Sequence, residues 1–239
     1  MIITKTPYRI SFFGGGTDLN QWFSENGGAV ISTSIDKYCY ISCRYLPKFF
    51  EHKYRFVYSQ IEDTLKIEDI KHPAIKGLLS HLNWDKGIEL HHDGDLPARS
   101  GLGSSSSFTV GMLNALNALQ GKHISKNELA KQAIFIEQKV LNENVGCQDQ
   151  IAAAYGGFNK IEFYGEESFK VSPIIIPEER SNKLQDNLLL FFTGISRFAS
   201  EIEKSKIVNF STKKIELNKM HDMVDVSIDI LVNEAKNID

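Results

Sequence analysis

The chain has 239 residues, of which 42% are hydrophobic, 10% aromatic and 24% charged. That balance excludes a disordered, coiled-coil or collagen-like chain and suffices for a core in one large domain or two unequal ones. A net charge of −3, from 27 Lys+Arg against 30 Asp+Glu, sets up no positive field for nucleic acid or an anionic membrane, although a local basic patch can still serve a small anion. No apolar run approaches the roughly 20 residues that span a bilayer. The first residues, MIITKTPYRI, lack the apolar segment and cleavage site of a signal peptide, so the expected location is the cytoplasm. Cys39, Cys43 and Cys147 are an odd number with no close CxxC pair, which favours reduced thiols over a disulfide framework or a zinc site.

Residues 1–60 read as strand-rich, from IITKT through the turn-prone GGGTDL to AVISTSI, KYCYISCRYL and YRFVYS, with a short helix predicted over residues 18–26. A helical stretch follows at IKHPAIKGLLSHLN, then a strand at GIELHHD and a Gly/Ser-rich turn at DLPARSGLGSSSS. Over 105–120, Phe108, Met112, Ala115 and Leu119 recur at helical spacing, with Gly121 as the C-cap signal. Leu129, Ala133, Ile136 and Val140 share one face of a second helix with Glu137 beside it, and a third runs from near Gly146 to Gly156-Gly157. Beyond it, FNKIEFY, FKVSPIIIP and NLLLFFTG read as strands. Leu217, Met220, Val224, Ile228, Leu231 and Ala235 then keep helical period, and a boundary falls near residue 180.

The segment from Pro97 to Ser107 joins a strand to a helix. Gly101 and Gly103 let backbone approach a ligand, and the helix behind them offers unpaired amides and a positive dipole end, a combination suited to phosphate. A plain turn with Ser104 or Ser105 as helix cap is the competing reading. No Lys follows as a Walker loop requires, and Ser106 stands where a dinucleotide fingerprint needs its third Gly.

The string Pro97-x-x-x-Gly101-Leu102-Gly103-Ser104-Ser105 resembles the signature loop of the galactokinase, homoserine kinase, mevalonate kinase and phosphomevalonate kinase (GHMP) superfamily. Two further blocks stand in the expected order. TPYRISFFGGGTDL, from Thr6 to Leu19, resembles the amino-terminal substrate motif of its sugar kinases. GCQDQ, from Gly146 to Gln150, followed by small residues and Gly156-Gly157, resembles the segment with their catalytic aspartate. The wording is most similar to the D-glycero-D-manno-heptose 7-phosphate kinases, with fucose kinases as close relatives. The implied fold class is α+β: a two-layer α/β amino-terminal domain like the second domain of ribosomal protein S5 over residues 1–180, then an incomplete ferredoxin-like domain over 181–239. The implied activity is transfer of a phosphoryl group from ATP, with Mg²⁺, to the anomeric hydroxyl of a heptose phosphate on the way to nucleotide-activated heptose and surface polysaccharide.

The resemblance also assigns roles. Asp149 matches the base that takes the acceptor proton, although an acid in a first helical turn is favoured by the dipole regardless. Arg9 would neutralise phosphate charge or keep Asp149 ionised, or else be an ordinary strand residue with a surface partner. Asp18 matches the carboxylate that binds sugar hydroxyls, although Thr17 or Asp18 ahead of Gln21 also reads as a helix cap. Gly15 and Gly16 replace bulkier residues of galactokinases and make a roomier acceptor pocket. Gly101, Leu102, Gly103, Ser104, Ser105 and Ser106, with Pro97, would hold the nucleotide phosphates. Ser105 and Glu137, the latter twelve residues before Asp149, would share Mg²⁺, an oxygen-only set of the kind that ion prefers, whereas a solvated helix residue is the plain reading of Glu137. Arg44, Lys48, Lys53, Arg55 and Arg99 are candidates for a second phosphate on the sugar.

No Gly-rich segment follows Gly194, where the family carries a third motif. A truncated second domain is therefore expected, with an apolar strand at NLLLFFTG and helical stripes that recruit a second copy or another chain. The alternatives to a heptose phosphate kinase are a non-catalytic nucleotide- or sugar-phosphate-binding remnant and a fucose-type kinase.

Overall fold

The structure, a computed structural model, describes residues 1–98, 100–165, 168–191 and 213–238. In chain order the elements are β1 (Ile2–Phe13), α1 (Asn20–Asn26), β2 (Gly28–Tyr45), β3 (Tyr54–Val57), β4 (Ile61–Thr64), α2 (Pro73–His81), β5 (Ile88–Gly94), α3 (Ser104–Leu119), α4 (Lys126–Phe135), α5 (Gln148–Tyr155), β6 (Phe158–Tyr164), β7 (Ser168–Pro173), α6 (Glu178–Asp186) and α7 (Lys214–Val232). A π-helical turn, Ile136–Val140, continues α4. The predicted boundary at residue 180 falls inside α6.

One long strand organises the sheet. β1 pairs antiparallel along nearly all of β2, from Ile2 opposite Cys43 to Phe13 opposite Ile31. On the other edge of β2, β5 takes Cys39–Tyr45 and β6 takes Gly28–Thr33. β3 adds parallel to β5, β4 antiparallel to β3, and β7 antiparallel to β6. The β1–β2 register slips between Pro7 and Arg9. Proline has no N–H for a ladder, and bulges of this kind re-aim side chains. There the chain exchanges β2 for the Gly/Ser turn and its helix: Ser107 Oγ donates to Pro7 O at 2.8 Å and Arg9 N donates to Leu102 O at 3.1 Å.

Helices α1 to α5 cover one face. α3 buries Phe108, Met112, Leu113, Ala115 and Leu116 against Ile41, Cys43, Ile88 and Leu90 of the sheet, each large side chain contributing ~1.5–3 kcal/mol. Gly103 enters α3 at φ +74° and Gly121 leaves it at +74°, as the C-cap reading anticipated. Ser125 Oγ accepts from Glu128 N at 3.2 Å and starts α4 as half of a capping box. Trp22, Phe23, Val30, Ile151, Ile161 and Phe163 form a second cluster under α1 and α5.

The opposite face of β2 is covered at one end by α7. Val224 packs on Ala29 and Ile31, and Leu217 reaches the α1 cluster. The helical period predicted for this segment is present, and its apolar stripe is seated on the same chain's own sheet. Arg180 of α6 fixes the far end of α7, donating from Nε to Leu231 O at 2.6 Å and from Nη2 to Ile230 O and to Lys236 O. Asn187–Phe191, predicted as the start of a strand, are in no strand, with Leu189 and Phe191 exposed; they have no neighbouring strand in the described sheet to complete their backbone hydrogen bonds. The remainder of NLLLFFTG lies outside the described residues, as does Arg99.

Candidate active site

The bulge at Pro7 points Tyr8 into the core and Arg9 into a cleft of about 430 Å³. Arg9 also lines that cleft with Ser11, Phe13, Gly15, Gly101 and Gln148. Arg9 Nε and Nη2 both reach Asp149 Oδ1, at 2.8 and 2.6 Å, while Nη1 donates to Gly101 O at 3.0 Å. One guanidinium therefore joins all three sequence blocks, and it turns Asp149 Oδ2 toward the Gly/Ser turn. A Cβ on Gly103 would lie 3.5 Å from that oxygen and 3.3 Å from Arg9 Cγ. Glycine is needed there for its positive φ and for this close approach.

α3 begins immediately behind the turn. Ser107 N, bonded to Gly103 O at 2.9 Å, closes the first helical turn, so the amides of Ser105 and Ser106 lie ahead of the intrahelical ladder, where an anion is received. Ser105 is exposed and Ser106 buried. Ser106, not the expected Ser105, meets Glu137, donating from Oγ to Oε2 at 2.9 Å. Successive helical residues point about 100° apart, so only one of the two faces inward. Gln150 Nε2 donates to the same oxygen at 2.5 Å, and Glu137 Oε1 has no hydrogen-bond partner. Burial pushes the Glu137 carboxyl up to about 7 against the lowering effect of the nearby Thr109, Gln150 and Ser106 side chains. The π turn carries Glu137 into this interior, as such turns do at functional sites.

Asp18 sits beneath the cleft and is 3% exposed. Its Oδ1 accepts from Gly16 N at 2.9 Å and its Oδ2 from Gln148 N at 3.3 Å, while its carbonyl accepts from Cys147 N at 3.1 Å. The carboxylate thus fastens the GGGTD turn to the start of α5. Thr17, fully buried, closes the turn itself, donating from Oγ1 to Gly14 O at 2.7 Å. Pro97 is exposed at the start of the Gly/Ser turn.

The sequence reading gave no site role to Ser11, Gln148, Met220 or Met223, which also line the cleft. Ser11 Oγ donates to Gln148 Oε1 at 2.7 Å, and Met220 and Met223 of α7 form the far wall. Gln148 was visible inside GCQDQ, whereas the methionines belong to a helix that only tertiary packing brings here. Arg44 pairs with Glu89 and Arg55 with Asp63. Arg44 lies at the other end of β2 from Thr33, the partner of Ile10, roughly 35 Å along the strand. Among the described residues lining the cleft, Arg9 is the only charged one.

A strand-to-helix glycine turn, a carboxylate held by a guanidinium and a buried serine–glutamate pair meet at one end of the α/β fold. The model of the GHMP kinases N terminal domain matches residues 69–157. The chain is 32% identical to D-glycero-alpha-D-manno-heptose 7-phosphate kinase of Campylobacter jejuni over 231 residues, 92% of this chain and 67% of that protein. It is 27% identical to a galactokinase of Pyrococcus furiosus over 82% of this chain and 54% of that protein, so it spans about half to two thirds of these relatives. The crystal structure of a D-glycero-D-manno-heptose 1-phosphate kinase from Bacteroides thetaiotaomicron superposes with a TM-score of 0.73 over 95% of this chain and 76% of that one, at 23% identity. The chain belongs to the GHMP kinase family. No helix among the described residues is long and apolar enough to cross a membrane.

Proposed function

We propose that the chain carries the catalytic half of an ATP-dependent sugar kinase that phosphorylates the anomeric hydroxyl of a heptose phosphate. The observation that carries this reading is the Arg9–Asp149 pair set against the Gly101–Gly103 turn, supported by the likeness to the Campylobacter heptose 7-phosphate kinase. ATP phosphates lie on the turn and the first amides of α3. Asp149 Oδ2 takes the proton of the attacking hydroxyl, while Arg9 fixes the carboxylate and places positive charge beside the phosphoryl group in transit. Gly15 lines the acceptor side, over the support of the buried Gly16, Thr17 and Asp18.

Mg²⁺ suits the serine–glutamate pair, because the donors are all oxygen and Glu137 Oε1 is a buried acceptor lacking a partner. Glu137, with the hydroxyl of Ser106, would hold it, and a bound ion neutralises phosphate charge.

A fucose-type acceptor without a phosphate is favoured by one observation, the single cation among the described lining residues. The test is ADP release with ATP, Mg²⁺ and a panel of free and phosphorylated heptoses, hexoses and fucose. Release with heptose 7-phosphate alone is expected, lost by roughly 10²- to 10⁴-fold in Asp149→Asn at unchanged stability. Release with fucose alone supports the second reading, and undiminished turnover in the variant refutes the role of Asp149. Ligand-induced thermal stabilisation with no turnover on any sugar marks a binding remnant.

A further inference from the structure

The residue ahead of Asp149 is held at both ends. Gln148 N donates to Asp18 Oδ2 and its side-chain Oε1 accepts from Ser11 Oγ. A primary amide whose oxygen is engaged by a hydroxyl has its orientation fixed, and here the two N–H bonds of Nε2 are left for the cleft. The space in front of them is open. A Cβ built on Gly15 would meet only Gln148 Nε2 within 4 Å, at 3.9 Å. Gln148 lines the cleft together with Arg9, whose guanidinium holds Asp149, so an acceptor held by Gln148 lies in the same cleft as that pair. Arg9, the charged lining residue, is taken up by Asp149 and Gly101. This end of the cleft therefore presents a neutral donor to a neutral oxygen, facing an apolar wall of Phe13, Met220 and Met223 that suits the C–H face of a pyranose.

We infer that Gln148, oriented by Ser11, recognises the acceptor by donating from Nε2 to one sugar oxygen seated over Gly15. This rests on the sugar-kinase reading above and names the group that selects the acceptor within it. Gln148 is a binding residue, Ser11 a positioning residue, and neither takes part in proton transfer.

The experiment compares kcat and KM of the native chain, Gln148→Met, Ser11→Ala and the double variant, using whichever sugar of the panel is turned over and its monodeoxy analogues. A neutral hydrogen bond is worth about 0.5–1.5 kcal/mol, or roughly 2- to 12-fold. Gln148→Met is expected to raise the acceptor KM about tenfold, with kcat within about twofold and the KM for ATP unmoved. Ser11→Ala raises it by less, and the double variant is no worse than Gln148→Met, because Ser11 acts through the amide. One monodeoxy sugar shows the same raised KM with the native chain and with Gln148→Met, which identifies the oxygen.

An acceptor KM unchanged in Gln148→Met, a matching change in the KM for ATP, or an equal loss for every monodeoxy sugar overturns the inference and leaves the kinase reading standing. If Gln148→Met does not fold, Ser11→Ala alone decides through the same comparison. A native chain that neither turns over nor binds any sugar overturns both.

Discussion

Gly146→Ala tests whether the site rests on Asp18. An added Cβ would meet Asp18 Oδ2 at 1.9 Å and Cγ at 2.6 Å, whereas relaxed contacts lie near 3.5 Å, so the carboxylate or the chain entering α5 must give by roughly 1.5 Å. Neither is free to do so, because the carboxylate accepts from Gly16 N and Gln148 N and is buried. Overpacking costs ~1–3 kcal/mol, and loss of one bond to a charged acceptor ~1.5–3 kcal/mol, for a total of about 2.5–6 kcal/mol. Whatever remains folded carries Asp149 displaced relative to Arg9, and a 1 Å misplacement lowers turnover by roughly 10²-fold. Urea unfolding followed through the buried Trp22 and Trp84 reads the first effect, and ADP release reads the second. Gly121→Ala is the control: Gly121 alone of the two has a positive φ, +74°, and there is open space around its new Cβ, so the variant loses about 1 kcal/mol to backbone strain with turnover retained. Asp18→Ala removes the atoms the new methyl strikes, so the double variant Asp18→Ala/Gly146→Ala should be destabilised by less than the sum of the singles. Native stability in Gly146→Ala, or strict additivity in the double variant, refutes the steric reasoning.

Other outcomes follow from single contacts. Arg9→Lys keeps the charge but cannot reach Asp149 and Gly101 O together, so single-turnover rates should fall by roughly 10²-fold with stability nearly unchanged. Glu137 has its pKa raised from 4.5 to about 7 by burial, so the fold binds this proton more tightly than the unfolded chain. The resulting stability is present in full below pH 4.5 and is lost as pH rises through 7, a change of about 3 kcal/mol in metal-free buffer. Glu137→Gln should flatten that slope in denaturation curves between pH 5 and 8, and an unaltered slope excludes Glu137 as its source. Arg180→Ala frees the last carbonyls of α7 and should lower stability by about 1–3 kcal/mol. It should also raise the acceptor KM through the loosened Met220–Met223 wall, and protease sensitivity confined to α7 would report the loosening directly.

The motifs were legible because each demands particular atoms close to a ligand: glycines where backbone must approach, a carboxylate at a helix start, a cation beside it. What joins them was not. The resemblance offered Arg9 as a partner of Asp149, and the two bond across 140 residues, but that the bulge at Pro7 aims Arg9 there, or that Ser106 and not Ser105 turns toward Glu137 through the rotation of α3 about its axis, is left undetermined by local periodicity. The helical stripe of α7 was read correctly from Leu217 to Leu231, but its partner was not, because an apolar face declares a need for cover and not the surface that supplies it. Asp18 read as a ligand or a cap, and the structure uses its carboxylate as a fastening between two turns.

The sharing of β2 among three strands has a kinetic meaning. β1 meets it across one short connection, while β5 and then β6 arrive from progressively farther along the chain, and ordering entropy rises with each longer closure. Among the partners of β2, β1 is therefore expected to join first, and the contact between Arg9 and Asp149 late. On that order, a ligand that clamps Arg9 to Asp149 acts on a bond expected to form after the folding transition state. It should slow unfolding while leaving the folding rate almost untouched, so substrate would lengthen the life of the folded chain without hastening its formation.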